Sequence, residues 1–286
     1  MKKILIFVTL LLIVFGCGYH FYKKEKLKSL DLNLNSNHKF ELAFNIMQKD
    51  NFQAITYNDD VFYAGFDMGR GQGIIREYDS NGNFIKETQK IGIGHSAGLA
   101  YRKSNGHIYA CNGGGTNPTF IYEIDMTATT PSIVNTLNYN SLGNSALIAI
   151  DNDNDQLILH TASSDTADPT FSICKFDGTI IKQFTVHNQG VPQGLDYYQN
   201  QLYLFTNNKI TVMDLNGNIT KVVNVNESGE SEGMTIGIKN NIPFIAVGYN
   251  TPNRVYILSR TKVSLEDFYH DSKFLVKKIL QKNNKD

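Results

Sequence analysis

The chain has 286 residues, 41% hydrophobic and 19% charged, with 27 basic against 27 acidic side chains. That apolar content argues against a largely disordered protein, and the length admits one large all-β unit or two smaller domains. The zero net charge is unevenly spread: residues 1–30 hold six Lys and one acid, Glu25, which leaves 21 basic against 26 acidic side chains in the remainder. No nucleic-acid partner is expected for so acidic a body, because phosphate binding needs a basic patch.

Lys2 and Lys3 precede an apolar run from Ile4 to Phe15 that ends at Gly16, Cys17 and Gly18. This is the order of an export signal, and Val14-Phe15-Gly16-Cys17 resembles a lipoprotein box with Cys17 as the lipidated residue. Phe15 stands where such boxes carry a small residue. The competing reading is an uncleaved single-pass anchor: Ile4 to Tyr22 gives 19 residues before Lys23 and Lys24, near the ~20 that span a bilayer. Four Lys beyond that run oppose an outside location under the positive-inside rule. Both readings place residues 1–30 at a membrane, with the body expected on the extracytoplasmic face of a bacterial cell. Cys111 and Cys174 lie in apolar strand-like runs and read as small buried hydrophobes.

An internal repeat organises the rest. A short inner strand recurs as Gln53-Ala54-Ile55-Thr56-Tyr57, Ala97-Gly98-Leu99-Ala100-Tyr101, Ala146-Leu147-Ile148-Ala149-Ile150, Gln193-Gly194-Leu195-Asp196-Tyr197 and Glu232-Gly233-Met234-Thr235-Ile236. Successive starts lie 44, 49, 47 and 39 residues apart, the size of a propeller blade. A second strand follows each after a short polar turn. A third column ends in Asp79, Asp125, Asp177 and Asp214 in four of the repeats, and these Asp residues read as turn caps. A fourth, outer strand is present in four repeats and missing from the fifth; Phe40 to Ile46 supplies it from the N-terminal side. The expectation is an all-β, five-bladed propeller over residues 38–260, closed by its N-terminal strand so that two sheet edges disappear. Residues 264–281 break the pattern and read as a C-terminal amphipathic helix, with Ser264 and Asp267 as a capping box.

The loops between second and third strands are the long polar ones, so function is assigned to that face. The mouth of the central channel there should be ringed by the residues ahead of each inner strand: Asn51, Gln53, His95, Ser96, Asn144, Ser145, Gln193, Glu230 and Glu232, with Arg70 and Asn112 on the adjoining loops. Such a converging polar ring is what a ligand site requires; it is also what a water-filled channel contains. Glu232, Asn144 and Asn51 offer hard oxygen ligands suited to Ca²⁺, an arrangement similar to the six-bladed gluconolactonase and regucalcin propellers. No cofactor is required by any motif, and Ca²⁺ is the candidate cation. Asp151 to Asp155 has calcium-loop composition but sits at a hairpin turn, without the glycine and distal glutamate of an EF-hand. The Gly69–Gly73 and Gly113–Gly115 runs open no helix and make no nucleotide loop. His95 would activate Ser96 only if a carboxylate oriented it, and none is identifiable by spacing.

With Gly94-His95-Ser96, Pro192-Gln193-Gly194-Leu195 and Glu230-Ser231-Glu232-Gly233 ahead of three inner strands, residues 38–260 resemble a family of bacterial and phage propellers. It groups helveticin J-like, teichoic-acid biosynthesis protein C-like and phage receptor-binding proteins. The resemblance implies a five-bladed, cell-surface-directed propeller whose ligand is a wall polymer. A fainter likeness to plant-type glutaminyl cyclotransferases fails at their Trp-Gly-Leu signature, since this chain has no Trp. The expected protein is thus a membrane-attached monomer that binds a cell-envelope glycan or polyol-phosphate. A metal-assisted lactonase or hydrolase using Glu232, and a protein-binding propeller, are the alternatives. No catalytic residue is assigned.

Overall fold

The computed structural model describes residue 19 and residues 39–144, 147–240 and 242–259. The expected lipidation site Cys17, Ser145 and the C-terminal helix 264–281 lie outside the described residues, as does the N-terminal segment apart from Tyr19. Among the described residues no helix is long and apolar enough to cross a membrane.

Strand β1 (Glu41–Asn45) comes first, followed by the first blade, β2 (Asn51–Asn58), β3 (Val61–Asp67), β4 (Gly73–Asp79) and β5 (Phe84–Glu87). The second blade is β6 (Gly98–Arg102), β7 (His107–Cys111), β8 (Phe120–Asp125) and β9 (Ser132–Asn138). The third is β10 (Leu147–Asp151), β11 (Gln156–Thr161), β12 (Thr170–Cys174) and β13 (Ile180–Thr185). The fourth is β14 (Pro192–Tyr198), β15 (Gln201–Thr206), β16 (Lys209–Asp214) and β17 (Ile219–Asn224). The last comprises β18 (Glu230–Lys239), β19 (Ile242–Asn250) and β20 (Arg254–Ser259). Each of the first four sheets runs in chain order, and the fifth runs β1-β20-β19-β18. The N-terminal strand therefore completes the last blade antiparallel to β20, with Leu42 opposite Tyr256 and Asn45 opposite Arg254. This is the expected five-bladed, all-β propeller with its expected closure. The unit formed by residues 39–238 and 245–258 holds the inner strands and both channel mouths.

Burial follows strand position. Inner and second strands carry nearly continuous buried runs, such as Phe52 to Tyr57 and Leu157 to Thr161, whereas the outer strands β5, β9, β13 and β17 are mostly exposed. The core lies between blades. Between the second and third it joins Tyr109, Cys111, Ile148, Leu159 and Cys174; between the third and fourth, Leu147, Phe171, Leu195, Leu202 and Met213. Cys111 and Cys174 are buried, and burial pushes the Cys111 thiol up to about 12 and the Cys174 thiol up to about 11.

The aspartates that end the third strands cap turns. Asp79 accepts the backbone N–H groups of Asn81 at 2.8 Å and Asn83 at 2.9 Å through Oδ1, and Asp214 repeats the pattern with Asn216 and Asn218. The Asp151–Asp155 run is likewise a hairpin turn: Asp151 Oδ1 accepts from the backbone of Asp153 and Asn154. Asp155 accepts from two of the three guanidinium nitrogens of Arg102, Nε at 2.7 Å and Nη2 at 2.6 Å, tying blade two to blade three. The same guanidinium lies 3.6 Å from the ring centroid of Phe176.

Neighbouring inner strands approach one another closely. A Cβ on Gly194 would stand 2.5 Å from the backbone nitrogen of Met234 in the next blade, and one on Gly233, whose φ is +65°, would stand 2.7 Å from the nitrogen of Ile55. Gly194→Ala is expected to lower unfolding stability by about 1–3 kcal/mol, the cost of overpacking. Arg102→Ala should lower it by about 1–2 kcal/mol, a partly exposed charge-assisted bond. Arg70→Ala, in an exposed turn, should stay within about 0.5 kcal/mol. Urea denaturation of the three variants checks the order.

Candidate functional site

The residues that open the inner strands do converge. Asn51, Gln53, His95, Gln193, Glu230 and Glu232 line one cavity of about 330 Å³, together with Asp165, Pro192 and the backbone of Gly114 and Gly115. Two of these side chains owe their direction to defects in the sheet. The β2–β3 pairing passes from Phe52 to Ala54 and the β14–β15 pairing from Pro192 to Gly194, so Gln53 and Gln193 are the extra residues of β-bulges. A bulge frees its residue from the ladder and re-aims its side chain; here both amides point at the channel mouth.

Gln53 Nε2 donates to the carbonyl of Phe52 at 2.9 Å, to Glu232 Oε1 at 3.2 Å and to Asn51 Oδ1 at 3.3 Å. Asn51 Oδ1 also accepts from Asn250 Nδ2 at 2.6 Å. Glu232 is 3% exposed. Burial, then the nearby charge of Glu230, push its carboxyl up to about 9, against the opposing effect of the Gln53 bond. Glu232 is therefore a neutral acid at pH 7, with an O–H to donate and one oxygen accepting from Gln53.

His95 gains a partner that linear spacing does not reveal. Its Nδ1 lies 2.8 Å from Oδ2 of Asp67, which sits 28 residues earlier at the end of β3. That contact leaves Nε2 as the ring nitrogen free to serve a ligand. Ser96 does not join it: the residue is fully buried with φ of +56°, and its Oγ has no hydrogen-bond partner. No substrate can reach that hydroxyl directly.

Other expected members stand elsewhere. Asn112 is 9% exposed, and its side chain holds its own loop by donating to the Pro118 carbonyl at 2.9 Å and accepting from the Phe120 N–H at 3.1 Å. Arg70 is exposed in the turn Gly69–Gln72 and does not line the cavity. Asn144 forms a backbone bridge with Pro118 and is absent from the lining. The set Glu232, Asn144 and Asn51 is thus not brought together around one point, and no group of three or more His, Cys, Asp or Glu suited to a metal exists among the described residues. Asp165, on the long loop of the third blade, is a wall residue that composition alone did not single out.

No family model and no curated relative matches the chain. Among solved structures it is similar to a gluconolactonase from Xanthomonas campestris, with 8% identity over 79% of this chain and 91% of that one at a TM-score of 0.47. It is also similar to a chain of a nidogen/laminin complex, with 14% identity over 65% of this chain and 85% of that one at a TM-score of 0.42. Both are likenesses of fold.

The neutral Glu232 has a signature in stability. Its folded pKa lies above the ordinary 4.5, so between about 4.5 and 9 the native state holds a proton the unfolded chain has lost, and stability falls as pH rises through that window. Glu232→Gln keeps an oxygen for Gln53 and removes the effect. The variant should match the parent near the acid end and exceed it at the alkaline end by on the order of 2 kcal/mol, roughly 5 °C. Thermal melts across that range check it; a constant difference between the two proteins would reject a neutral Glu232.

Proposed function

We propose that this protein is a membrane-attached, extracytoplasmic binding module that holds an uncharged segment of a cell-envelope glycan at the Gln53, Gln193 and Glu232 mouth. The observation that supports the reading is the chemistry of that mouth. Two bulge-directed amides, a protonated carboxyl and an imidazole held by Asp67 present paired donors and acceptors from separate blades. Hydroxyl groups are recognised by such mixed pairs. Ala97, Leu147, Val191 and Pro192 add an apolar wall against which the C–H face of a sugar ring can rest.

Charge separates the two ligands expected from sequence. The lining contains Asp165, Glu230 and Glu232 and neither Lys nor Arg. A polyol-phosphate brings one negative charge per unit and needs cationic donors, so the neutral glycan is the better fit. Membrane attachment rests on Lys2, Lys3, the apolar run and Cys17. A hydrolytic reading has one observation in its favour, the His95–Asp67 pair beside a neutral acid, which is an acid–base arrangement without an assigned nucleophile.

Sedimentation of the full-length protein, in non-ionic detergent, with purified cell walls tests the proposal. Binding should persist when teichoic acid is stripped from the walls and should fall about tenfold or more in Gln53→Ala/Gln193→Ala, a loss of about 1.4 kcal/mol. Binding that disappears with the teichoic acid overturns the choice of ligand. Wall binding unaffected by the double variant overturns the choice of site, and release of soluble sugar from bound walls favours the hydrolytic reading.

A further inference from the structure

The inner strands reach a second cavity at their other end. Three residues beyond Gln53, Gln193 and Glu232, roughly 10 Å along the strands, the same repeats present Thr56, Asp196 and Thr235 to a space of about 350 Å³. Repeats two and three carry Ala100 and Ala149 at this register, so Asp196 is the single ionisable side chain in the column.

Asp196 is built into the wall by three donors. Its Oδ2 accepts the hydroxyl of Thr235 at 3.0 Å and the backbone N–H of Ile236 at 2.6 Å, and its Oδ1 accepts the N–H of Tyr197 at 2.7 Å. A carboxylate has about four lone-pair positions, which leaves one on Oδ1 open. Burial pushes the carboxyl up to about 6 against these three bonds. It is thus largely ionised at pH 7 and half-buried at the cavity wall, a state that a cationic partner stabilises.

The cavity supplies the surroundings for one. Tyr57, Tyr101, Tyr197 and Tyr198 line it. Two of their hydroxyls are engaged at its edge, Tyr57 with Asp60 at 3.2 Å and Tyr197 with Asn200 at 3.1 Å, which fixes the position of those rings. Asp59 and Asp153 stand on the same lining, and Lys103 is its one cation, exposed at the rim. The field there is negative: all four phenols are raised, first by burial and then by aspartates, Asp59 and Asp60 on one side and Asp151 and Asp153 on the other.

We propose that this second mouth binds an organic ammonium ion, a primary or quaternary amine whose cationic head rests on Asp196 among the tyrosine rings. Rings attract such cations through their negative faces. An anion is repelled by the three aspartates. A divalent metal ion lacks ligands, since no metal-suited group of three exists among the described residues. A neutral sugar would stack on the rings and leave the Asp196 charge unmatched. The site is independent of the glycan reading, which concerns the opposite mouth.

Calorimetric titration of the full-length chain in non-ionic detergent with choline, and with its uncharged isostere 3,3-dimethylbutanol, decides the matter. Choline should bind saturably with millimolar affinity or better, and the isostere about tenfold more weakly or less. Asp196→Asn should cost about tenfold or more in choline affinity. Because Asp196 also joins β14 to β18, Asp59→Asn/Asp153→Asn serves as a second variant: it lowers the field without touching that joint and should weaken choline several-fold. Gln193→Ala, at the other mouth, should leave choline binding unchanged. Equal binding of choline and the isostere, no binding of choline, benzyltrimethylammonium or butylamine at roughly tens of millimolar, or loss of choline binding in Gln193→Ala would each overturn the proposal.

Discussion

Everything in this ring depends on how closely the inner strands pass one another. With five blades the strands must meet nearly backbone to backbone, and the second residue of each repeat decides whether they can. Gly194 leaves room for the backbone of Met234, and Gly233 for that of Ala54 and Ile55. The first repeat has Ala54 at this register. The third has Leu147, whose side chain is absorbed into the apolar cluster with Leu195 and Leu202. Small residues at a shared register are therefore a packing condition before they are anything else. The same condition sends the first and fourth residues of the repeats to the two ends of the channel, each opening into a cavity.

The two acids that occupy those ends show what decides their charge. Glu232 is buried and Asp196 half-buried, and desolvation is the largest cause acting on each. Asp196 receives three hydrogen bonds, two of them from backbone N–H groups, and its carboxyl is held at about 6. Glu232 receives one, from the Gln53 amide, and has Glu230 as a like charge nearby, so its carboxyl goes to about 9. At pH 7 Asp196 is thus largely an anion and Glu232 a neutral acid. The difference lies in the number of donors and in the like charge of Glu230, and it gives the two mouths different ligand chemistry.

Most of the architecture was legible because it is written in one dimension. Blade-sized spacing, the Asp-ended third strands and the spare strand at Glu41–Asn45 are all periodic, and the observed sheets follow them. The ring of mouth residues was legible to the extent that it shares a register: Gln53, Gln193 and Glu232 meet as expected. What could not be read were pairings across different columns. Asp67 ends a second strand and His95 precedes an inner one, so no repeat alignment puts them side by side. Asp196 and Thr235 share a column in adjacent blades, but nothing linear says that the carboxylate turns toward its neighbour's hydroxyl. Asn112 was misleading for the opposite reason: a polar residue at the start of a long loop looks available, while its amide is occupied by Pro118 and Phe120.

A mouth assembled from separate blades also limits how a ligand can be held. Each contributing side chain is fixed by a protein partner: Gln53 by its bulge and by the Phe52 carbonyl, Asn51 by Asn250 of the last blade, His95 by Asp67 of the first. The groups are set before a ligand arrives, so little side-chain entropy is lost on binding. The blades themselves are joined by contacts such as Arg102 with Asp155 and Asp196 with Thr235. Widening the mouth would require breaking several of these at once. Recognition at such a mouth is consequently a matter of fit to a preformed polar pattern, which favours a repeating, rigid ligand over one that must reshape the protein around it.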